Sequence, residues 1–261
     1  MIQCMKFDPK LGVHRTEDMG FRYDKHVFGP QPELRRLDDI RRSLRDPECT
    51  GPDPVYSIVM DVGRNADRDE LKRRMLLFGV VTYASGRLGD EPVRSQGHVH
   101  AIAPHCGWST PEIFEVWEGE AIIYAQERAS YDPGRCVVIR AVAGQKVVVP
   151  PGWAHCVINA DPETRMTFGA WCDRQYGFLY DDIRARGGLA WFPLLDAQHN
   201  IHWEPNPRYS SSKLAVREPR PYPELGLSSA PLYEQFMKNP ESVQWVANPG
   251  RLCAVWDKFE P

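Results

Sequence analysis

Between residues 73 and 172 the chain runs through short β-rich segments in quick succession, with turns but no helices between them. We place strands at about 73–84, 93–100, 112–117, 120–127, 135–141, 145–149, 154–160 and 165–172, with turns at Ser85-Gly86, Gly119, Asp132-Pro133-Gly134 and Gly144. Short strands at this spacing, without helical crossovers, predict an antiparallel sandwich or barrel. Within that run sit Gly97-His98-Val99-His100, then Glu112 in Pro111-Glu112-Ile113-Phe114-Glu115-Val116-Trp117-Glu118-Gly119, then His155 after the Pro150-Pro151-Gly152 turn. His98 and His100 are two apart, so on a strand both rings leave the same face. A lone His-x-His is an ordinary pair, and a Pro-Pro-Gly turn is usually only a turn. Three imidazoles and a carboxylate in order on β-rich segments are what a divalent first-row metal ion requires.

The spacing of Gly144, Pro150, Gly152, His155 and Asn159 resembles the second cupin motif, and Gly97-x-His98-x-His100 with Glu112 before Gly119 resembles the first. The resemblance implies an all-β fold, a cupin or double-stranded β-helix jelly-roll barrel, with His98, His100, Glu112 and His155 as metal ligands. One departure is the eleven residues between His100 and Glu112, a longer interval than cupins usually have. Residues 101–111, with Pro104, Gly107 and Pro111, read as an inserted loop at the barrel mouth that could displace the carboxylate. Glu115 and Glu118 are rival ligands, but Glu112 alone keeps the cupin distance to Gly119.

A chain of 261 residues allows one large β-domain or two small ones, and 42% hydrophobic residues suffice for a sizeable core. We expect a single cupin domain over 1–261, with a barrel core at about 54–175, an N-terminal arm and helix over 1–53 and a C-terminal elaboration over 176–261. A formal charge of −3 offers no footprint for nucleic acid. No apolar run approaches the ~18–20 residues of a membrane span. The opening Met1-Ile2-Gln3-Cys4-Met5-Lys6 lacks a secretory layout, and seven cysteines at scattered spacings do not read as a disulfide framework, so cytoplasm is expected. Cys156 and Cys172, near the proposed metal, read as small buried hydrophobes.

Along the chain, residues 1–32 read as an extended arm over the barrel or a neighbouring subunit. Pro32 with Leu34, Leu37, Ile40 and Leu44 predicts a helix whose opposite face, Arg35, Arg36, Asp38, Asp39, Arg41 and Arg42, is solvated rather than a phosphate site. Val55–Met60 predicts a strand, and 63–72 a polar loop with a helical turn. A short helix is expected over 179–186 and another over Pro231–Lys238, with weak strands at Val243–Ala247 and Leu252–Trp256. Residues 193–231 show no periodicity. Trp245 and Trp256, among eight tryptophans in all, suggest that this tail packs against the rest.

Flanking residues narrow the comparison further. Leu34-Arg35-Arg36-Leu37-Asp38-Asp39, Pro54-Val55-Tyr56, Gly86-Arg87-Leu88-Gly89, Gln126 and Tyr176-Gly177 together resemble the cupin-type, metal-dependent glucose-6-phosphate isomerase family over about residues 33–190. That resemblance implies an aldose–ketose isomerase acting on glucose 6-phosphate and fructose 6-phosphate. One divalent ion per chain is implied, iron first, with manganese, nickel or zinc as alternatives. Tyr56, Ser95, Gly97 and Tyr176 take the places that bind the sugar phosphate, and a homodimer is expected. Mismatches are Val81, where a threonine is expected, Phe114 for a tyrosine and Arg174 for a histidine. Glu112 is the expected catalytic base as well as a ligand, passing a proton through a cis-enediol; a direct hydride shift is the alternative. A non-haem iron dioxygenase, an isomerase of another sugar and a non-catalytic sugar-binding cupin are the competing readings.

Overall fold

The computed structural model describes residues 7–261, so the opening six residues, on which the leader reading rested, lie outside the described residues. Ten strands carry the framework: β1 (Glu33–Arg35), β2 (Tyr56–Met60), β3 (Leu76–Tyr83), β4 (Glu112–Glu118), β5 (Glu120–Gln126), β6 (Cys136–Val142), β7 (Lys146–Val149), β8 (Ala154–Asn159), β9 (Met166–Asp173) and β10 (Leu214–Arg217). They form a six-stranded sheet in the order β7-β4-β9-β3-β2-β1 and a four-stranded sheet in the order β8-β5-β6-β10. All pairings are antiparallel except β6 with β10. The sheets face each other across one apolar core, in which Val81, Phe114, Val116 and Phe168 meet Ile123, Val137, Ile139 and Val157. This is the all-β, jelly-roll arrangement expected, and the strands from β3 to β9 start and stop within about three residues of the predicted positions.

The six-stranded sheet is apolar on both faces, and the chain supplies a cover for each. β3 reads Leu-Leu-Phe-Gly-Val-Val-Thr-Tyr and is buried throughout. A continuous apolar run of this kind belongs to a strand covered on both sides. Its outward residues Phe78 and Val80 join Ile113, Trp117, Val148 and Trp171 in a second core closed by Leu232, Tyr233, Phe236, Trp245 and Val246 of the C-terminal tail. The arm contributes Leu11 and Val13 to the same core, so it packs on its own chain.

Several expectations need correction. The helix expected from Pro32 begins only at Leu37, because Glu33–Arg35 pairs as an edge strand with β2, with Arg35 opposite Tyr56. Leu37, Ile40 and Leu44 are buried as the periodicity required, but on one helical turn and the 3-10 turn Arg41–Ser43 that follows. Residues 93–98 are not a continuous strand: they run beside β8 with isolated bridges, Arg94 to Ile158 and His98 to His155, and single backbone bonds from Asn159 to Val93 and from Ser95 to Val157. Val243–Ala247 and Leu252–Trp256 are not strands. The first lies in 3-10 and turn structure, and the second ends a 3-10 turn and forms the helix Cys253–Trp256. Their aromatic residues suit either structure, and packing against the sheet decides. The stretch 193–231 holds strand residues that periodicity missed: Trp191–Leu195 pairs with Ile201–Pro205, and β10 extends the four-stranded sheet. Among the described residues no helix is long and apolar enough to cross a membrane.

Candidate metal centre and substrate pocket

His98 and His155 are brought together by backbone pairing. The His98 N–H donates to the His155 carbonyl and the His155 N–H to the His98 carbonyl, both at 3.0 Å. His100 is anchored two residues further on, where Val99–His100 pairs with Phe178–Leu179. Residues 101–111 fold into a small hairpin, Ile102–Ala103 against Trp108–Ser109, which returns the chain so that β4 opens with Glu112 at the same spot. The insertion therefore leaves the carboxylate in place. One candidate ligand atom from each of His98, His100, Glu112 and His155 lies within 4.8 Å of all the others.

The strand period sorts the rival carboxylates. Phe114 and Val116 face the inner core with Glu112, while Ile113, Glu115 and Trp117 face the outer one. Glu115 is fully buried there, accepting the Leu232 N–H at 3.0 Å and Lys146 Nζ at 3.4 Å, and burial, opposed chiefly by the Lys146 charge, raises its pKa to about 6. Glu118 pairs with Arg15 at 2.9 Å.

The protonation pattern of the four residues tests the fit of a cation. His100 Nδ1 contacts the Thr110 carbonyl at 2.9 Å and His155 Nδ1 contacts the Trp153 carbonyl at 3.1 Å. A carbonyl only accepts, so both Nδ1 atoms carry the proton, and in the neutral rings both Nε2 atoms present lone pairs. Those lone pairs face Glu112 Oε2 at 3.2 Å and 3.1 Å. Three acceptors at such distances repel one another unless a proton or a cation lies between them. His98 Nε2 is buried with no hydrogen-bond partner. Burial, then the neighbouring imidazoles, pushes His98 well below the ordinary histidine pKa, so it stays neutral, the form that ligates. Burial raises the Glu112 pKa; what holds the group below the usual carboxylate range is positive charge from His100 and His155, the place a bound cation would take with both rings neutral. Backbone carbonyls on the remote imidazole nitrogens are the outer partners that orient histidine ligands. The residues fit a divalent ion.

The cluster sits at one end of a pocket between the sheets, walled by Phe114, Val157, Phe168 and Phe178. Phe178 packs on His98 with ring centroids 4.2 Å apart. Of the expected substrate residues, Tyr56, Ser95 and Gly97 line this pocket, whereas Tyr176 is not among its lining residues and lies against Phe178 with ring centroids 5.0 Å apart. Ser95 is buried, and its Oγ accepts the Val157 N–H at 3.1 Å. Gly97 has φ +85, in the left-handed region that favours glycine, and a Cβ there would stand 3.1 Å from Leu189. Val81 and Phe114 line the pocket, as their apolar character requires, while Thr82 faces away, bonded to Thr167 at 3.0 Å. Arg174 pairs with Asp61 at 2.7 Å, outside the lining. Cys156 and Cys172 are buried, and burial raises the Cys156 thiol to about 12, so neither offers a thiolate.

Among the polar lining residues, Arg35, Tyr83, Gln96 and Tyr180 were given no site role by the sequence. Arg35 is the one Arg or Lys among the residues lining the pocket, so the solvated-face reading fails for it. It pairs with Glu33 at 2.7 Å and lies against Tyr56, whose phenol is pushed up by burial and held back by the Arg35 charge. The signal was available in the strand pairing that sets Arg35 opposite Tyr56, which no helical period shows. Tyr83 stacks on Tyr56 at 4.9 Å. Burial keeps both phenols protonated as donors.

The chain is 26% identical to the glucose-6-phosphate isomerase of Thermococcus onnurineus (strain NA1) over 187 residues, 70% of this chain and 88% of that one. Among solved structures it resembles oxalate oxidase in complex with glycolate (TM-score 0.36, 19% identity, 49% of this chain and 55% of that one). It also resembles Bacillus subtilis oxalate decarboxylase (TM-score 0.35, 17% identity, 51% and 28%). The chain thus spans about half the length or less of these solved structures, and likeness at this level carries no argument about chemistry. The family model of glucose-6-phosphate isomerase matches residues 36–208, two-thirds of the chain, with the whole His/Glu cluster and every pocket-lining residue except Arg35, and the protein accordingly belongs to that family of isomerases.

Proposed function

We propose that the protein is a metal-dependent aldose–ketose isomerase interconverting glucose 6-phosphate and fructose 6-phosphate. The observation that carries this reading is the set of lone pairs from His100 and His155 converging on Glu112 Oε2 at 3.2 Å and 3.1 Å, beside the unpartnered His98 Nε2. His98, His100, Glu112 and His155 would hold one divalent ion, iron first, then manganese, nickel or zinc. Such an ion supplies Lewis acidity toward the substrate carbonyl and holds adjacent oxygens in line.

The chain's own groups do the rest. Both imidazole contacts fall on Glu112 Oε2, so ligation through Oε2 is compatible with proton transfer at Oε1, between C1 and C2 of the open-chain sugar. Arg35, the Tyr56 and Tyr83 hydroxyls, Ser95 and the Gly97 backbone would receive the phosphate, a charge-assisted set with one fixed cation. Phe114, Phe168 and Phe178 keep water from the carbon being deprotonated. Tyr176, outside the lining, would reach a substrate only at the mouth. A homodimer in the cytoplasm belongs to the same proposal.

The test is a coupled assay of fructose 6-phosphate turnover after chelation and reloading with each of the four metals, with Glu112→Gln alongside. Turnover that vanishes with chelator, returns with metal and is lost in metal-loaded Glu112→Gln supports the reading. Full turnover in metal-loaded Glu112→Gln sinks the base assignment. No turnover with any bound metal discards the substrate.

A further inference from the structure

Away from the isomerase pocket, a surface cleft is lined by six arginines: Arg41, Arg42, Arg45, Arg184, Arg186 and Arg208. They come from three separate parts of the chain, the 3-10 turn Arg41–Ser43 and its continuation, the helix Asp181–Ala185 and its end, and the segment after Pro205. Bringing six guanidiniums to one cleft in a chain of net charge −3 is electrostatically unfavourable unless something answers the charge.

Half of them are answered within the protein. Arg41 pairs with Asp38, Arg45 with Asp90 and Glu204, and Arg186 with Asp182. Arg42, Arg184 and Arg208 have no carboxylate at ion-pair distance among the described residues. Arg208 reaches only the Ala185 carbonyl at 3.5 Å, and Arg184 donates from Nε to Gln96 Oε1 at 2.8 Å. Three guanidiniums are left uncompensated in a concave site whose remaining wall includes Leu44, Phe192 and Pro207.

We propose that this cleft binds a small molecule carrying a diphosphate group. Guanidinium forks match phosphate oxygens in pairs, and three uncompensated charges suit a diphosphate, which carries about −3 near neutral pH, better than a single phosphate at about −1.5 to −2. Nucleic acid is a poorer occupant, because the arginines gather in one cleft rather than along a stripe and the whole chain is acidic, with pI 6.3. Free pyrophosphate and a nucleoside diphosphate share the chemistry and are separated below.

The cleft is connected to the isomerase pocket. Gln96, which holds Arg184, lies between Ser95 and Gly97 and lines that pocket. The Arg184 guanidinium also stands 4.9 Å over the ring of Tyr180, another lining residue. A diphosphate that draws Arg184 toward the cleft releases Gln96 and Tyr180 together, so anion and sugar phosphate are coupled through one side chain. This coupling rests on the isomerase reading; the binding itself does not.

The experiment is calorimetric titration of the full-length protein with inorganic pyrophosphate, ADP and inorganic phosphate at two salt concentrations. The proteins compared are wild type, Arg42→Ala/Arg208→Ala, Arg42→Lys/Arg208→Lys and Arg35→Ala. We expect pyrophosphate to bind about tenfold or more tighter than phosphate, with an Arg42→Ala/Arg208→Ala loss of about tenfold per phosphate contact removed and a smaller loss for the lysine pair. Arg35→Ala should bind as wild type. Tighter binding of ADP than of pyrophosphate assigns the nucleoside a share of the cleft, and equal binding assigns the diphosphate alone. An unchanged titration in Arg42→Ala/Arg208→Ala, a loss confined to Arg35→Ala, or no heat with either diphosphate would overturn the proposal. Saturating pyrophosphate should raise the KM for fructose 6-phosphate about fivefold in wild type and leave it unchanged in Arg42→Ala/Arg208→Ala. A KM indifferent to pyrophosphate in wild type refutes the coupling.

Discussion

If the four residues hold a divalent ion as proposed, its removal should lower stability, and His98→Ala should abolish the difference. Without a cation, His98 Nε2 is a buried acceptor with no partner, and His100 and His155 turn lone pairs toward an ionised Glu112. A buried polar atom left unsatisfied costs about 1–3 kcal/mol, and an ion that binds only the folded state relieves this. At a free metal concentration one hundred times Kd the gain is about 2.7 kcal/mol. For a chain of this size that corresponds to a rise in Tm of about 5–10 °C. Loss of a ligand that weakens affinity a hundredfold brings the same metal concentration to Kd, where the gain is only about 0.4 kcal/mol, or about 1 °C. The assay is thermal unfolding of chelator-treated protein titrated with each divalent ion, in wild type and His98→Ala. A Tm in wild type that ignores metal at any concentration, or an equal rise in His98→Ala, would refute the reasoning that these four residues form one cation site.

Two further outcomes follow from the same structure. Arg35→Ala should raise the KM for fructose 6-phosphate by about 10- to 100-fold, the worth of a hydrogen bond to a charged group, with a smaller change in kcat, and Arg35→Lys should recover part of the loss. Steady-state kinetics showing an unchanged KM would place the phosphate elsewhere. Glu115 titrates near 4.5 when unfolded and near 6 when folded, so the folded state holds the extra proton between those values. Stability should therefore fall as pH rises from about 4.5 to 6, by about 2 kcal/mol in all, and Glu115→Gln should remove that slope; parallel urea-unfolding profiles for the two proteins would exclude it.

The ligand cluster was legible because its determinants are local. A two-residue spacing puts His98 and His100 on one strand face, a turn delivers His155, and glycine and proline positions mark the strand ends. The same period separates Glu112 from Glu115 once the strand is placed. What tertiary structure alone decided lies where the chain meets itself. Arg35 enters the pocket because an edge strand pairs with β2, overriding the apolar period that makes the segment read as a helix. Tyr180 reaches it because Phe178–Leu179 pairs with Val99–His100, about eighty residues earlier. Tyr176, two residues before Phe178, precedes that paired segment and falls outside the lining, which no motif reports. The C-terminal aromatics announce that they pack, but helix or strand is set by the outer face of the sheet they cover. Periodicity records which residues need burial; only the folded chain determines what buries them and which charges are left unanswered.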